Sequence, residues 1–488
     1  MNSPREALLE LIRRSDSRTV VSLVEGLLQL IRIPENMLLL DAALSSTAQM
    51  RFLDAVQEDI RAYFDEFGDE VLNTSDVAKL LAVAPEADDA QALVVARAMA
   101  LALDTVFGPT FALSFKHRGS LQLTPGRAFP VQEPPLKQLL GKNLNTNPKH
   151  LELGLDAVQH LRLAPEQLAP FNITLDWSDD GLLAPLKEGA AMSIAATNAS
   201  LRDFRWAQFE RDGQILFFEV TPKNEEQQTR ILIELLEKAE KAGTRLLVFP
   251  ELCLTNALIE VVRKWFRAST RQLCLLVAGS AHVEVEGRRL NRSVMFLQGG
   301  PEYTHDKMRP FAFGDPLRTE DISTSPKRVT LHMSGAWSFV SLICKDFITR
   351  ELVNLLAELR ASLVFVSAMT PKADAFQDFA HQLATQAQSM VLIANIPEVP
   401  PPTPPQAPSS GAGASSVQQG SNQGAAVVAA AGSTAQSIET TAHLGAPYAL
   451  LALPRRGTKI SFPPHSPPCL LTVRLSPDAQ LTEILTVT

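Results

Sequence analysis

From about residue 190 onward the chain alternates short apolar runs with stretches of helical period, and this order constrains its fold more than any other feature. Glu225–Ala242 carries Ile231, Leu232, Leu235, Leu236, Ala239 and Ala242 on one face, and Gly243 follows as a C-terminal stop. Arg245–Phe249 reads as a buried strand ended by Pro250. Further strands are expected over Leu273–Ala278, Ser293–Leu297, Trp337–Ile343, Leu363–Val366 and Met390–Ala394. Helices are expected over Thr349–Leu359 and Ala373–Gln388, and closing strands over Leu450–Leu453, Lys459–Phe462 and Leu470–Leu475. Strands alternating with helices define an α/β domain.

The first part of the chain reads differently. Apolar residues recur three and four apart in Glu6–Ile12, Val20–Ile33 and Phe52–Phe67, and Val94–Val106 is an Ala-rich apolar helix. Helix starts are signalled by Ser17 or Thr19 before VVSLVEGL and by Asp76 before VAKLLA. Between 107 and 190 the sequence has polar turns and Pro-rich breaks, with Leu153–Leu161 compatible with a helix. The expected division is a mainly helical region over 1–190 and an α/β domain over 191–488. The segment 397–432, rich in Pro and then in Gly, Ser, Gln and Ala, is expected to be a flexible insert.

At 488 residues with 45% apolar side chains the chain can build more than one core. The net charge is −8 and no Lys/Arg block occurs, so direct nucleic-acid binding through a basic face has no support. The cysteines are Cys253, Cys274, Cys344 and Cys469, without the spacing of a zinc site or a disulfide framework. The first residues lack a secretory apolar core, and no stretch of about 18 uninterrupted apolar residues reads as a membrane span. The expectation is a cytoplasmic protein without membrane association.

Three residues carry the chemistry. Glu251 in LLVFPELCLTN, Lys307 in YTHDKMRPFAFGD and Cys344 in FVSLICKDFITRE each follow an apolar run. Amide or nitrile hydrolysis needs a nucleophile, a base to activate it and a donor for the developing anion. A thiol, a carboxylate and an ammonium supply these, and the N–H of Lys345 is placed to be a second donor. Taken singly, each residue also fits a bland role: a small core cysteine, a helix-terminal charge, a solvated lysine.

The sequence around them resembles the nitrilase (carbon–nitrogen hydrolase) superfamily. LLVFPELCLTN resembles its strand ending in P-E, LLVAGSAHVEVEG its G-S strand, and LNRSVMFLQGGPEYTHDK its N-S…Y-x-x-x-K segment, with Asn291, Ser293, Tyr303 and Lys307. Cys344, Asp346 and Glu351 fit the family's spacing of a cysteine and two later carboxylates. Asp315 in FAFGD stands where the family often has a second glutamate, and AGSTAQSIE resembles its later G-x-S strand. Three departures stand out: Lys345 replaces an aromatic residue, Asp315 is one methylene shorter than glutamate, and TQAQS near Thr385–Ser389 replaces the family's R-A-x-E. The Lys345 charge beside the cysteine is expected to favour the thiolate.

The resemblance implies a four-layer α-β-β-α sandwich over about 190–488 and a cysteine-dependent hydrolase of a non-peptide carbon–nitrogen bond. It implies Glu251, Lys307 and Cys344 as catalytic residues, Asp315, Lys345, Asp346 and Glu351 as supporting ones, and no metal or organic cofactor. A small-molecule amide or nitrile is the implied substrate and a homo-oligomer the implied assembly. Two other readings stay open. The fold can serve as a binding or gated sensor-effector module whose residues 1–190 recruit a protein partner, or an amine can replace water as acyl acceptor.

Overall fold

The computed structural model describes residues 3–64, 68–84, 88–114, 118–131, 155–160, 169–177, 181–186, 189–268, 272–314, 316–334, 337–371, 373–397, 447–453, 458–462, 467–474 and 484–487. Two twisted sheets face each other. Among the described residues one sheet has eight strands, with Asn172–Asp176, Arg328–Ser334, Trp337–Ile343, Leu363–Met369, Met390–Ile396 and Ala449–Leu453 consecutive in it. The other has seven, in the order Glu302–Asp306, Arg288–Leu297, Leu275–Val285, Thr244–Val248, Ala191–Ala196, Cys469–Arg474 and Ile484–Val487.

Side-chain alternation builds the layers. In Trp337–Ile343, Trp337 and Phe339 point between the sheets, where they meet Ile194, Leu246, Val248 and Leu275 of the facing sheet. Val340 and Leu342 point the other way, onto Leu352, Leu355 and Leu356 of helix Arg350–Glu358. Every residue of this strand is buried, so its sequence is a continuous apolar run rather than an alternation. On the far side of the seven-stranded sheet, helices Glu225–Lys241 and Asn256–Arg267 bury Leu232, Leu235, Leu236, Leu258 and Val262 against Leu247 and Leu276. The result is the four-layer α-β-β-α sandwich. Full burial of each such side chain contributes about 1.5–3 kcal/mol relative to exposure.

The helical region occupies the N-terminal part, with helices Pro4–Arg13, Val20–Ile31, Pro34–Leu44, Thr47–Tyr63, Thr74–Val83 and Asp89–Ser114. Thr19 caps the second by accepting from Ser22 N–H. Asn73, not Asp76, caps the fifth; Asp76 returns a bond to the Asn73 N–H in a capping box. Asp89–Ser114 is long and apolar enough to cross a membrane, but 72% of its most apolar stretch is buried against the surrounding helices. Its apolar surface continues into the core beneath helix Arg350–Glu358.

Two expectations are corrected here. Leu153–Leu161 is not helical where described: Val158–His160 pairs antiparallel with Ala128–Pro130. Asp104, buried on the long helix, accepts from the N–H groups of Asp156 and Ala157 and fixes the turn into that strand. Burial pushes its carboxyl up to about 7. The division near residue 190 also cuts across the sandwich. Ser120–Gln122 pairs with Asn172–Asp176, which runs parallel to Arg328–Ser334 in the eight-stranded sheet. Strands of three and five residues with polar alternation leave no long apolar run to announce them. The insert from 398 to 432 and the AGSTAQSIE segment lie outside the described residues.

Candidate active site

Glu251, Lys307 and Cys344 converge where strands end. Thr244–Val248 runs parallel to its neighbours, and Glu251 lies just beyond its carboxyl end. Cys344 is the first residue past Trp337–Ile343, itself parallel to Leu363–Met369. Carboxyl ends of parallel strands present diverging loops and free backbone groups, which is why sites gather there. Ser367 Oγ donates to the Phe249 carbonyl at 2.8 Å, and Glu251 N–H donates to the Ala368 carbonyl at 3.3 Å. The two sheets are thus pinned together beside the carboxylate.

The turn after Glu251 is tight. Leu252 has φ +54° and donates its N–H to Ser280 Oγ at 3.0 Å. Gly279, at φ +85°, lies underneath: a Cβ there would stand 2.3 Å from the Pro250 carbonyl oxygen and 2.6 Å from Cys253 Sγ. Cys253 is accordingly a packing residue. Gly279→Ala is expected to lower stability by about 2–4 kcal/mol through strain and overpacking. Urea unfolding measures this, and a loss below 0.5 kcal/mol on the order expected for a neutral surface change would show the turn to be compliant.

A buried polar cluster surrounds Lys307. Its Nζ donates to Glu251 Oε1 and to Glu320 Oε2, both at 2.7 Å. Asn291 Nδ2 bridges the same two carboxylates, at 2.9 Å to Glu251 and 2.8 Å to Glu320. Glu320 also accepts from the Phe311 N–H at 2.8 Å and from His282 Nε2 at 2.9 Å. His282 Nδ1 accepts from the Val220 N–H at 3.1 Å, which leaves Nε2 as the nitrogen facing Glu320. Exposure is 2% or less for Glu251, Lys307, Glu320 and Asn291, so water competes for none of these bonds.

Two carboxyl groups share one ammonium in this buried cluster. Glu320 has the four donors just named. Burial alone would raise its pKa, but Lys307 and His282 outweigh burial and hold it well below the usual carboxylate range. Glu251 has fewer donors, and burial, opposed by Lys307 and aided by Glu320, raises its pKa. Glu251 is therefore the member that takes a proton first. Burial acts against the Lys307 charge, but Glu251 and Glu320 outweigh it and the ammonium is held protonated.

The buried Cys344 thiol lies in the electrostatic field of Glu251 and Lys307, with the Met369 backbone beside it. Burial first, and then the Glu251 charge, push the thiol well above its ordinary value; Lys307 and the Met369 N–H only partly offset them. The expectation that Lys345 favours the thiolate is not met. Its Nζ is drawn onto the Pro310 carbonyl at 3.1 Å. Cys344 itself has φ +45°, a left-handed conformation that costs a non-glycine residue of order 1–3 kcal/mol. The short helical turn Cys344–Asp346 begins there. Replacing Glu251 by Gln removes the negative neighbour and leaves Lys307, so the Cys344 thiol pKa is expected to fall by at least about one unit. Thiolate absorbance against pH, with Cys344→Ala as blank, reads this shift; an unchanged midpoint would mean the two groups are not electrostatically linked.

Of the supporting residues, Asp346 is buried and joins two parts of the site. It accepts from the Met308 N–H at 3.0 and 3.2 Å and bonds His305 Nε2 at 3.2 Å. The segment carrying Lys307 is thereby tied to the turn carrying Cys344. Glu351 does not join them: it sits exposed in the first turn of helix Arg350–Glu358, 3.8 Å from exposed Arg309. Its spacing from Cys344 reflects a helix start facing outward. Asp315 lies outside the described residues, and Glu320 fills the place beside Lys307 that was expected of Asp315. Glu320 and His282 were not foreseen as site residues. The sequence marks Asn291 only through its place in the N-S…Y-x-x-x-K segment.

The sandwich thus holds a thiol, a carboxylate and an ammonium buried together at its strand ends. Residues 214–392 match the family model "Carbon-nitrogen hydrolase", which supports the resemblance of this part of the chain to the carbon–nitrogen hydrolases. None of the curated proteins compared with the chain matched it. Similar solved structures include an amidase of Nesterenkonia AN1 from the nitrilase superfamily, at 14% identity over 60% of this chain and 93% of that chain, with a TM-score of 0.39. They also include a glutamine-dependent NAD+ synthetase from Acinetobacter baumannii, at 18% identity over 42% of this chain and 38% of that chain, with a TM-score of 0.31.

Proposed function

We propose that the chain is an amidase-like hydrolase of a non-peptide carbon–nitrogen bond, with Glu251, Lys307 and Cys344 as catalytic residues. The observation that carries this reading is the burial of the Cys344 thiol beside a carboxylate of raised proton affinity, which in turn accepts from a locked ammonium. A thiol held neutral by burial needs its proton removed during attack, and Glu251 is the neighbouring carboxylate whose proton affinity suits it to that role.

In this reading the sulfur attacks the amide carbon as the thiol proton passes to Glu251. The carbonyl oxygen becomes an oxyanion held by Lys307 Nζ and the Lys345 N–H. One such donor is typically worth about 3–4 kcal/mol in the transition state. When the tetrahedral adduct collapses, the C–N bond breaks, Glu251 returns the proton to the leaving nitrogen, and ammonia or an amine departs. The thioester on Cys344 is then attacked by water, which gives its proton to Glu251. Collapse releases the carboxylic acid and returns the proton to sulfur. Glu320, fixed by its four donors, holds Lys307 charged and in place throughout.

The test is ammonia release from a panel of short aliphatic amides and nitriles by the full-length protein. The reading expects release from at least one of them, lost in Cys344→Ala. Release that survives Cys344→Ala would assign the activity to another group.

A further inference from the structure

A polar cavity lies beside the catalytic cluster and is not used by it. It has a volume of about 220 Å³ and opens between the two sheets, where the strands Arg288–Leu297 and Glu302–Asp306 face Arg328–Ser334 and Trp337–Ile343. That is below the range of about 300–1,000 Å³ for drug-sized ligands, and room for about seven waters at 30 Å³ each. The occupant is therefore small.

The wall is positively charged. Arg288, Arg292 and Arg328 line it, against the single carboxylate of Asp306. Asp306 is committed to Arg292, which it holds through two bonds of 2.6 and 2.9 Å. Arg288 donates to the Ser325 carbonyl, a neutral partner. Among the described residues Arg328 has no carboxylate partner. Two guanidiniums thus face the cavity with their charge uncompensated.

The floor has unused hydrogen-bonding capacity. Ser341 Oγ and His332 Nδ1 are buried, line the cavity and have no hydrogen-bond partner among the described residues. His332 Nδ1 lies 3.5 Å from Asp176 Oδ2 without bonding it, and its ring is stacked on Phe339 at 4.9 Å. Leaving a buried polar atom unpaired costs about 1–3 kcal/mol, so such atoms are normally satisfied by something. Guanidiniums present forked donors that match planar or tetrahedral oxyanions, and they are less strongly hydrated than ammonium groups.

We propose that this cavity binds a small molecule through an oxyanion group, either a phosphate or a carboxylate. Arg288 and Arg328 provide the charge and Ser341 a hydroxyl donor. The ligand would sit against the wall of the catalytic cluster. His305 lines the cavity and bonds Asp346, which also holds the Met308 N–H next to Lys307.

Isothermal titration of the full-length protein in low-salt chloride buffer, with inorganic phosphate in one arm and succinate in the other, tests the proposal without any substrate. The outcome is thus independent of the hydrolase reading. Saturable binding of one equivalent of either probe is expected, weakened at least tenfold in both Arg288→Gln and Arg328→Gln. It should be unchanged in Arg230→Gln, which alters a surface ion pair on helix Glu225–Lys241. The arm that binds more tightly identifies the oxyanion. Thermal melts confirm that the variants remain folded, which the exposed position of Arg328 favours. No saturable binding of either probe, or binding equally strong in both cavity variants, would overturn the proposal.

Discussion

Glu251→Gln is expected to lower amide turnover by at least about a thousandfold while leaving the protein folded. General acid–base catalysis by one positioned group typically contributes 10²–10⁴-fold, and in the proposed mechanism one carboxylate serves thiol deprotonation, leaving-group protonation and water activation. The size of the loss follows from the state of the thiol. A cysteine already ionised would need little help, but burial and the Glu251 charge keep Cys344 protonated. Folding is spared because Gln retains a carbonyl oxygen for Lys307 Nζ and Asn291 Nδ2. The wild-type pH profile carries the same signature. Glu251 must be ionised to act as base and its pKa is raised, so turnover should climb with pH on the acid limb, with a midpoint above the ordinary carboxylate value near 4.5. A Gln variant within tenfold of wild type, or an acid limb at an ordinary carboxylate pKa, would remove Glu251 from the base role.

Lys307→Met is expected to be the most destabilising single change at the site, by about 3–5 kcal/mol at neutral pH. It leaves Glu251 and Glu320 buried without their shared cation, and truncating one partner of a buried ion pair strands the other's charge. The loss should depend on pH in a definite sense. Without the ammonium both folded-state carboxyl pKa values rise above their unfolded values. Their contribution to stability is then fully present at low pH and is lost as pH rises through the raised values. The deficit relative to wild type should therefore be larger at pH 8 than at pH 5. Urea unfolding followed by the fluorescence of buried Trp177 and Trp337 measures it at both pH values. A deficit independent of pH would mean the variant fails through packing rather than charge.

How much of this was legible in the sequence depended on the length of the run that announced each residue. Glu251 and Cys344 stand at the ends of strands buried on both faces, so unbroken apolar runs point to them. Glu320 ends a three-residue strand, Arg318–Glu320, that exists because it pairs in parallel with Gln214–Pro222, a hundred residues earlier. No local pattern encodes such a pairing, and Asp315 in FAFGD offered a more conspicuous acid. His282 was hidden for the opposite reason: it lies within the apolar strand Leu275–Val285 and reads as a core residue. Glu351 was misplaced because spacing along the chain says nothing about which way a helix's first turn faces. The edge strand Ser120–Gln122 and its neighbour Asn172–Asp176 join the sandwich from a stretch whose composition resembles loop, since strands this short need little apolar sequence of their own.

The most direct test of the central claim is the mass of the Cys344 peptide after acid quench during turnover of an amide that releases ammonia. The account predicts an acyl group on Cys344 and on none of Cys253, Cys274 and Cys469, formed in wild type and absent in Cys344→Ala, which also releases no ammonia. Ammonia release with Cys344 unmodified, and persisting in Cys344→Ala, would contradict it.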